Sequence, residues 1–511
     1  MAKGSAPQGS ADLANPERAG AAGRAARGLI AGLAFVALMF PAPATGFKAP
    51  AAATTAVEPA QFSKRRQSTP TSAKKSSTSR GPRAANVPSK GLNTPPRTPS
   101  RHPPPRQPPV YTLPQTPAEL TQYVASLPRR EQRVPQGRTL PQRVERQILV
   151  LIDLGQPQSL GAELARTYGL ELLSSRPIAL LGARAELFRI RGGRSETAAL
   201  AALQSDTRVR SAQFNLRYFR TSDGRRQAVP IPQYGPRNVR LPDAHQLALG
   251  RNVVIAVIDS AVDTEHPDLK GAVVQSFDAI GVRDLAPDFH GTAVAGIIRS
   301  RGVVEGVAPQ AQIMAVRAFR AKPGALPEST TELLLVAINW AAENGAKVLN
   351  MSFANTHRDG HLQALLEAVN RKGITLVAAA GNAGPKAAPA FPGAYPGVIA
   401  VTAVDEKDRR YEHANRGRYI AIAAPGVDIL APVERGGHAF LSGTSFATAY
   451  VSGIAALLLE RDPSIDTATV AQLIAAGADD IGPAGRDDDF GAGRVNALGS
   501  LKSMREVAAR Q

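Results

Sequence analysis

The stretch Val253-Val254-Ile255-Ala256-Val257-Ile258-Asp259 is a run of six apolar, mostly β-branched residues that ends on a carboxylate. An apolar run without polar alternation reads as a strand buried on both faces, and such strands belong to parallel sheets covered by helices. Further short strands of this kind are expected at 313–319, 347–351, 375–379 and 398–404, with helical stretches at 291–299, 332–343, 360–371 and 444–461. Strands alternating with helices predict an α/β domain on a parallel sheet. In such sheets functional groups gather at the carboxyl ends of the strands. Asp259 and Ser352 stand at those ends, and His290 and Ser445 at helix starts.

Three segments carry the chemistry: VVIAVIDSAVD at 253–263, HGTAVAG at 290–296 and SGTSFATAYVSG at 442–453. A serine hydroxyl is a poor nucleophile until an imidazole takes its proton and a carboxylate orients that imidazole. Taken singly, each residue has a plainer reading. An Asp at a strand end is often a turn residue, an isolated His is usually structural, and a Ser before a helix is usually an N-cap. Together, in the order Asp259, His290, Ser445 and with these flanks, the chain resembles the subtilase family of serine peptidases. The resemblance covers roughly 233–500, including EHPDL at 265–269, GVAP at 306–309 and GAGRVNA at 491–497.

That resemblance implies a subtilisin-like parallel sheet with helices on both faces, and an endopeptidase that forms an acyl-enzyme on Ser445. Asp259 would accept the imidazole N–H, and His290 would act as general base and then general acid. Asn382, in AAGN at 379–382, would donate to the oxyanion together with the Ser445 N–H. Alone, it reads as a turn residue of Asn-Ala-Gly-Pro. Ser352, Phe353 and Ala354 would border the substrate strand, with Gly381 and Ala390 at the pocket. Some positions depart from the family pattern. Ala261, Ala293 and Ala449 replace the usual Gly, His and Pro, which reads as altered packing because no proton-transfer group is lost. Phe353-Ala354-Asn355 stands where many members have Leu-Gly-Gly, which would narrow the cleft. Ala390 in place of Gly suggests a shallower pocket with a modest apolar preference. His290 is followed by Gly291 and Thr292, which would leave room around the ring.

Calcium is often bound in this family by a loop after the histidine helix. Here 301–305 is short and offers one carboxylate, whereas calcium takes six to eight oxygens. The Asp268 ligand position is kept, but the usual strong site is expected to be absent, and no other cofactor is implied. Asp487-Asp488-Asp489 reads as a solvated acidic turn rather than a cation site.

The chain of 511 residues carries a formal net charge of +19. Residues 48–118 hold 12 Lys and Arg against the single acid Glu58, and are dense in Pro. Such a segment buries too little apolar surface to order itself. Residues 45–144 are therefore expected to form a disordered basic linker, a spacer in the plain reading. In the alternative reading, 48–118 docks on an anionic envelope or surface polymer. Neither interleaved aromatics nor zinc spacing supports specific nucleic-acid recognition.

Upstream, Arg24 and Arg27 precede an apolar run at 29–40 and the small-residue exit Pro41-Ala42-Pro43-Ala44. Residues 1–44 read as a secretory signal cut after Ala44. They point to periplasmic or secreted export, with a retained membrane anchor through 29–40 as the alternative. Cysteine is absent, which removes disulfides and thiolate catalysis.

Between linker and catalytic domain (233–505), residues 145–222 read as strand 147–153, helix 160–168, strands 171–174 and 185–190, helix 197–204 and strand 209–218. This is a small, ferredoxin-like α+β unit. The resemblance implies a propeptide that assists folding and lies across the cleft as an inhibitor, so the chain's own prodomain joins polypeptide substrates as a partner. Residues 220–232 would be the processing region. The competing function is an envelope-associated binding or scaffold protein with a subtilase domain that no longer turns over.

Overall fold

The computed structural model describes residues 142–220, 233–281, 286–320 and 327–508, with isolated positions 119, 122, 123, 126 and 127. The signal or anchor at 1–44, the basic stretch 48–118 and the connector 221–232 lie outside the described residues.

The first folded unit runs β1 (Arg143–Asp153), α1 (Leu160–Tyr168), β2 (Leu170–Ile178), β3 (Ala183–Ile190), α2 (Glu196–Gln204) and β4 (Ser211–Arg220). Its strands lie in the order β4-β1-β3-β2 and every pair is antiparallel. The expected stub at 171–174 is a full strand, because β2 pairs with β3 from Leu170↔Ile190 to Ile178↔Ala183. That ladder holds the polar stretch Ser174-Ser175-Arg176, which no apolar pattern could announce. Likewise β4 extends two residues past the expected end, to Arg220. Ile148, Val150 and Ile152 of β1 pack with Leu164 and Leu203 of the unit's own helices. Leu149 and Leu151, on the opposite face, join the core of the second unit.

The second unit continues with β5 (Val254–Asp259), β6 (Val273–Asp278), α3 (Phe289–Arg299), β7 (Gln312–Arg317), β8 (Glu328–Thr330) and α4 (Thr331–Glu343). Next come β9 (Val348–Met351), β10 (Phe353–Ala354), α5 (Gly360–Arg371), β11 (Thr375–Ala379), β12 (Ile399–Val404) and β13 (Ile422–Pro425). The chain ends with β14 (Ile429–Val433), β15 (Gly437–Leu441), α6 (Thr444–Arg461), α7 (Thr467–Ala476) and α8 (Ala497–Ala508). Seven strands form a parallel sheet in the order β13-β12-β11-β9-β5-β7-β6.

Side chains alternate across this sheet, as they must in a strand. Ile255 and Val257 of β5 share a core with Val294 of α3 and Phe446 of α6. Ala256 and Ile258 share the other with Leu334 of α4 and Leu365 of α5. Helix α6 is buried at every residue from Thr444 to Leu459, so it has no solvent face and shows no amphipathic stripe. The chain order reverses between β5 and β9, and a crevice opens at such a switch point. Asp259 ends β5 and Ser352 follows β9 at that crevice.

The two units share a sheet edge. Strand β4 pairs antiparallel with β10 (Phe353↔Arg220, Ala354↔Phe219) and with β8 (Arg217↔Thr330, Tyr218↔Ser329, Phe219↔Glu328). It thus fills a slot between two short strands of the second unit. Polar contacts extend the junction to the starts of α4 and α5. Leu216 N donates to Thr331 Oγ1 at 3.1 Å, and Ser211 Oγ lies 2.9 Å from His361 Nε2. Asp359, the N-cap of α5, accepts from Leu362 N at 3.0 Å, Gln213 Nε2 at 2.8 Å and the Tyr218 hydroxyl at 2.8 Å. Burial under this junction pushes the His361 imidazole down to about 4, although the charge of Asp359 pulls the other way.

Candidate active site

His290 is the second residue of α3, where the Asp288 side chain caps the helix by accepting from His290 N at 2.9 Å. Its ring Nδ1 lies 2.8 and 3.0 Å from the two Asp259 carboxylate oxygens. A carboxylate accepts and does not donate, so Nδ1 carries the proton and Nε2 is left as the basic nitrogen. Asp259 Oδ1 also accepts from Ser260 N at 2.7 Å, which fixes the carboxylate plane. Both side chains are buried, His290 at 0% and Asp259 at 1% exposure.

The expectation that Gly291 and Thr292 clear space around the ring is corrected. A Cβ on Gly291 would sit 2.5 Å from the backbone oxygen of Ser260, so the missing side chain lets α3 approach the end of β5. Thr292 Oγ1 donates to the Asp288 carbonyl at 2.8 Å and accepts from Asp263 N at 2.9 Å, which tightens the helix start.

Ser445 is the second residue of α6, and the ring of its neighbour Phe446 lies tilted against the His290 ring, with centroids 5.5 Å apart. The Ser445 hydroxyl donates to the Ser352 carbonyl at 3.2 Å, and Ser352 Oγ donates to the Ser445 carbonyl at 3.2 Å. Asn350 Nδ2 donates to Ser352 Oγ at 2.9 Å, and the Ser452 hydroxyl donates to Asn350 Oδ1 at 2.9 Å. This chain locks the start of α6 to the end of β9.

Asn382 Oδ1 accepts from Thr444 N at 3.2 Å and Thr444 Oγ1 at 2.9 Å, so the amide cannot flip without losing both. His290 Nε2 and Asn382 Nδ2 are then among the buried nitrogens that have no hydrogen-bond partner among the described residues. Buried polar atoms are normally satisfied. One orphaned base and one orphaned donor, each held from its other side, suit a proton acceptor and an oxyanion donor.

The expected substrate-strand residues meet here too. Phe353 is buried between Tyr218 (ring centroids 5.8 Å apart) and Phe319 (5.2 Å). Ala354 pairs normally with Phe219, and Asn355 Nδ2 donates to the Arg217 carbonyl. Asn355 thus adds a side-chain bond to the strand that β10 pairs with. Gly381 has φ +100°, and a Cβ there would lie 3.1 Å from the Ala390 methyl, which puts these two positions side by side next to Asn382.

Two polar residues that sequence reading did not single out link β5 to the start of α3. The Ser260 hydroxyl lies 3.1 Å from Asp259 Oδ1 and 3.0 Å from Asp288 Oδ1, and accepts from Gly291 N at 3.1 Å. Asp288 also pairs with Arg220. Burial would push the Asp288 carboxyl up, but the Arg220 guanidinium, the His290 amide and the His290 ring hold it below its usual range. An Asp two residues before a helical His is a legible N-cap signal.

No group of three or more His, Asp or Glu able to hold a metal ion occurs among the described residues. Asp268 is enclosed by donors instead: Val304 N at 3.0 Å, Val303 N at 3.3 Å and His438 Nε2 at 3.0 Å. Asp487 Oδ1 caps its own turn by accepting from Asp489 N and Phe490 N, and Asp489 pairs with Arg410 and Arg416.

Comparison with known proteins agrees with this geometry. The family model described as "Peptidase_S8: Subtilase family" matches residues 250–493. Thermitase of Thermoactinomyces vulgaris is 37% identical over 278 residues, 53% of this chain and 96% of that protein. The thermophilic serine proteinase of Bacillus sp. (strain AK1) is 38% identical over 281 residues, 53% of this chain and 67% of that protein. Among solved structures, fervidolysin from Fervidobacterium pennivorans superposes with a TM-score of 0.62 at 23% identity, over 74% of this chain and 64% of that one, a likeness of fold.

Proposed function

This chain belongs to the subtilase family and is a serine endopeptidase acting on polypeptides, and we propose that it is exported as a precursor blocked by its own residues 145–222. The catalytic roles are assigned as follows. His290 Nε2 takes the Ser445 hydroxyl proton as Oγ attacks the scissile carbonyl. The oxyanion accepts hydrogen bonds from Asn382 Nδ2 and the Ser445 N–H. Collapse expels the amine, which takes the proton back from His290, and water then cleaves the acyl-enzyme by the same route in reverse. Asp259 holds the imidazole in the tautomer this requires.

The observation that carries this reading is the pair of orphaned buried nitrogens, on His290 and Asn382, flanking the start of α6. Inhibition by 145–222 is supported by β4, which occupies the slot that an extended substrate would use. No cofactor is needed for these steps. A strong calcium site at 301–305 is not proposed, because amide and imidazole N–H groups already occupy Asp268. Export rests on the apolar run 29–40; no helix among the described residues is long and apolar enough to cross a membrane.

A fluorophosphonate probe tests the assignment. Wild type should be labelled and Ser445→Ala should not. Equal labelling of both would remove Ser445 from the role and leave the scaffold reading. Mass spectrometry of the purified chain should find a new N-terminus downstream of Arg220; a chain keeping 145–222 covalently attached in its active form would refute the precursor reading.

A further inference from the structure

We propose that the cleft selects substrates carrying a cationic side chain at the place held by Arg220, and that Asp288 is the residue that reads it. This rests on the assignment of Ser445 as nucleophile. Strand β4 lies in the slot as an extended peptide, so side chains two apart face the same way. Tyr218 and Arg220 are such a pair. Tyr218 is fully buried, and the Arg220 side chain is 2% exposed although the strand ends there.

The register fixes what that place means for a substrate. Arg220 is paired with Phe353. In an antiparallel ladder the next residue of a bound peptide faces Ser352, whose carbonyl oxygen is 3.2 Å from the Ser445 hydroxyl. A peptide in this register offers Ser445 the bond after that next residue. The cation is thus the second residue on the acyl side of the cleaved bond.

The pocket is built for a planar cation. The Arg220 guanidinium pairs with Asp288, donates to Ser260 Oγ at 3.3 Å and lies 5.2 Å from the centre of the Phe289 ring. Asp288 cannot swing away, because the same oxygen caps the helix that carries His290. A neutral side chain at this place would leave the Asp288 carboxylate, 22% exposed, without its cation, and a carboxylate would oppose it. The guanidinium Nε and Nη2 find no acceptor among the described residues. Selectivity therefore comes from one charged contact with its hydroxyl and ring support, and a factor of about ten or somewhat more is expected.

The test uses the purified enzyme and peptides that differ only at this position, with Arg, Lys, Gln or Glu. Wild type should cleave the Arg peptide with kcat/KM at least about tenfold above Gln, with Glu the poorest. Asp288→Asn keeps an oxygen to cap the His290 amide but loses the charge, and should bring the Arg-to-Gln ratio near one. Because the ratio is taken within one enzyme, any general loss of turnover cancels. Asp288→Lys should invert the order of Arg and Glu. A wild-type ratio near one, or a tenfold ratio that survives in Asp288→Asn, overturns the proposal. Fluorophosphonate labelling is run on the same samples. Labelling with a flat profile rejects the cation subsite alone, whereas absent labelling rejects the nucleophile assignment and the subsite with it.

Discussion

Gly291→Ala adds a single methyl group to the start of α3, at a point where the structure leaves no space for it. The new Cβ would lie 2.5 Å from the Ser260 carbonyl oxygen, whereas ordinary contact begins at 3.4 Å. About 0.9 Å must therefore open between the first turn of α3 and the end of β5, by difference of those two distances. The obstacle is backbone oxygen and cannot rotate aside. His290 and Asp259 sit on opposite sides of this gap, joined at 2.8 and 3.0 Å. The same opening would stretch both contacts beyond about 3.5 Å, outside useful hydrogen-bond reach. Overpacking of this kind costs about 1–3 kcal/mol, and a misplacement of about 1 Å near the chemistry costs roughly a hundredfold in rate. The expected result is a folded enzyme with a melting temperature a few degrees lower and kcat/KM down about a hundredfold, read by calorimetry and by peptide hydrolysis. A variant within threefold of wild type in rate, with unchanged melting, would refute the claim that this close approach positions the imidazole.

Asn382→Ala removes the orphaned donor without touching the nucleophile, so kcat should fall by about 10²–10³ with little change in KM, a magnitude carried over from subtilisin rather than worked from this structure; a loss under fivefold would remove Asn382 from that role. The junction should respond to acid through His361. Its folded value of about 4 lies below the ordinary 6.5, so the unfolded chain binds the extra proton between those limits and stability rises with pH across that window, by up to about 3 kcal/mol. Thermal unfolding of the Ser445→Ala precursor at pH 5 and 7 should show this slope, and His361→Gln should flatten it; an identical slope in both proteins would sink the attribution.

What could be read from the chain follows the range of the forces involved. Strands β5, β9 and β11 announce themselves as short apolar runs because both faces are buried. Helix α6 is expected at 444–461 from the alternation of strands and helices, although it is buried from Thr444 to Leu459 and has no amphipathic stripe. Edge strand β6 was missed: Val274, Gln275 and Ser276 are exposed, so VVQSFD carries no clean pattern. The hairpin β14–β15 and helices α7 and α8 also went unread. At the candidate site, the flanking motifs single out Asp259, His290, Asn382 and Ser445. They do not single out Asp288 and Ser260, although an N-cap search before His290 would have found the first. The insertion of β4 between β8 and β10 leaves no local trace, because partners 109 or more positions apart, by difference of the paired residue numbers, meet only through the fold.

The placement of β4 has a consequence for what the emptied enzyme can bite. Neighbouring strands lie about 4.8 Å apart, so once β4 departs, β8 and β10 face each other across about 10 Å, too far to bond to one another. The gap cannot heal itself and stays one ribbon wide. Because its two borders are only three and two residues long, they offer little purchase to the flank of another folded sheet. What satisfies both borders at once is a lone, outstretched run of backbone whose amides have no prior engagement. On the proposed release of β4, helices and paired strands would be refused on geometry alone, and loosened or unravelled chains would be the natural prey of such a jaw.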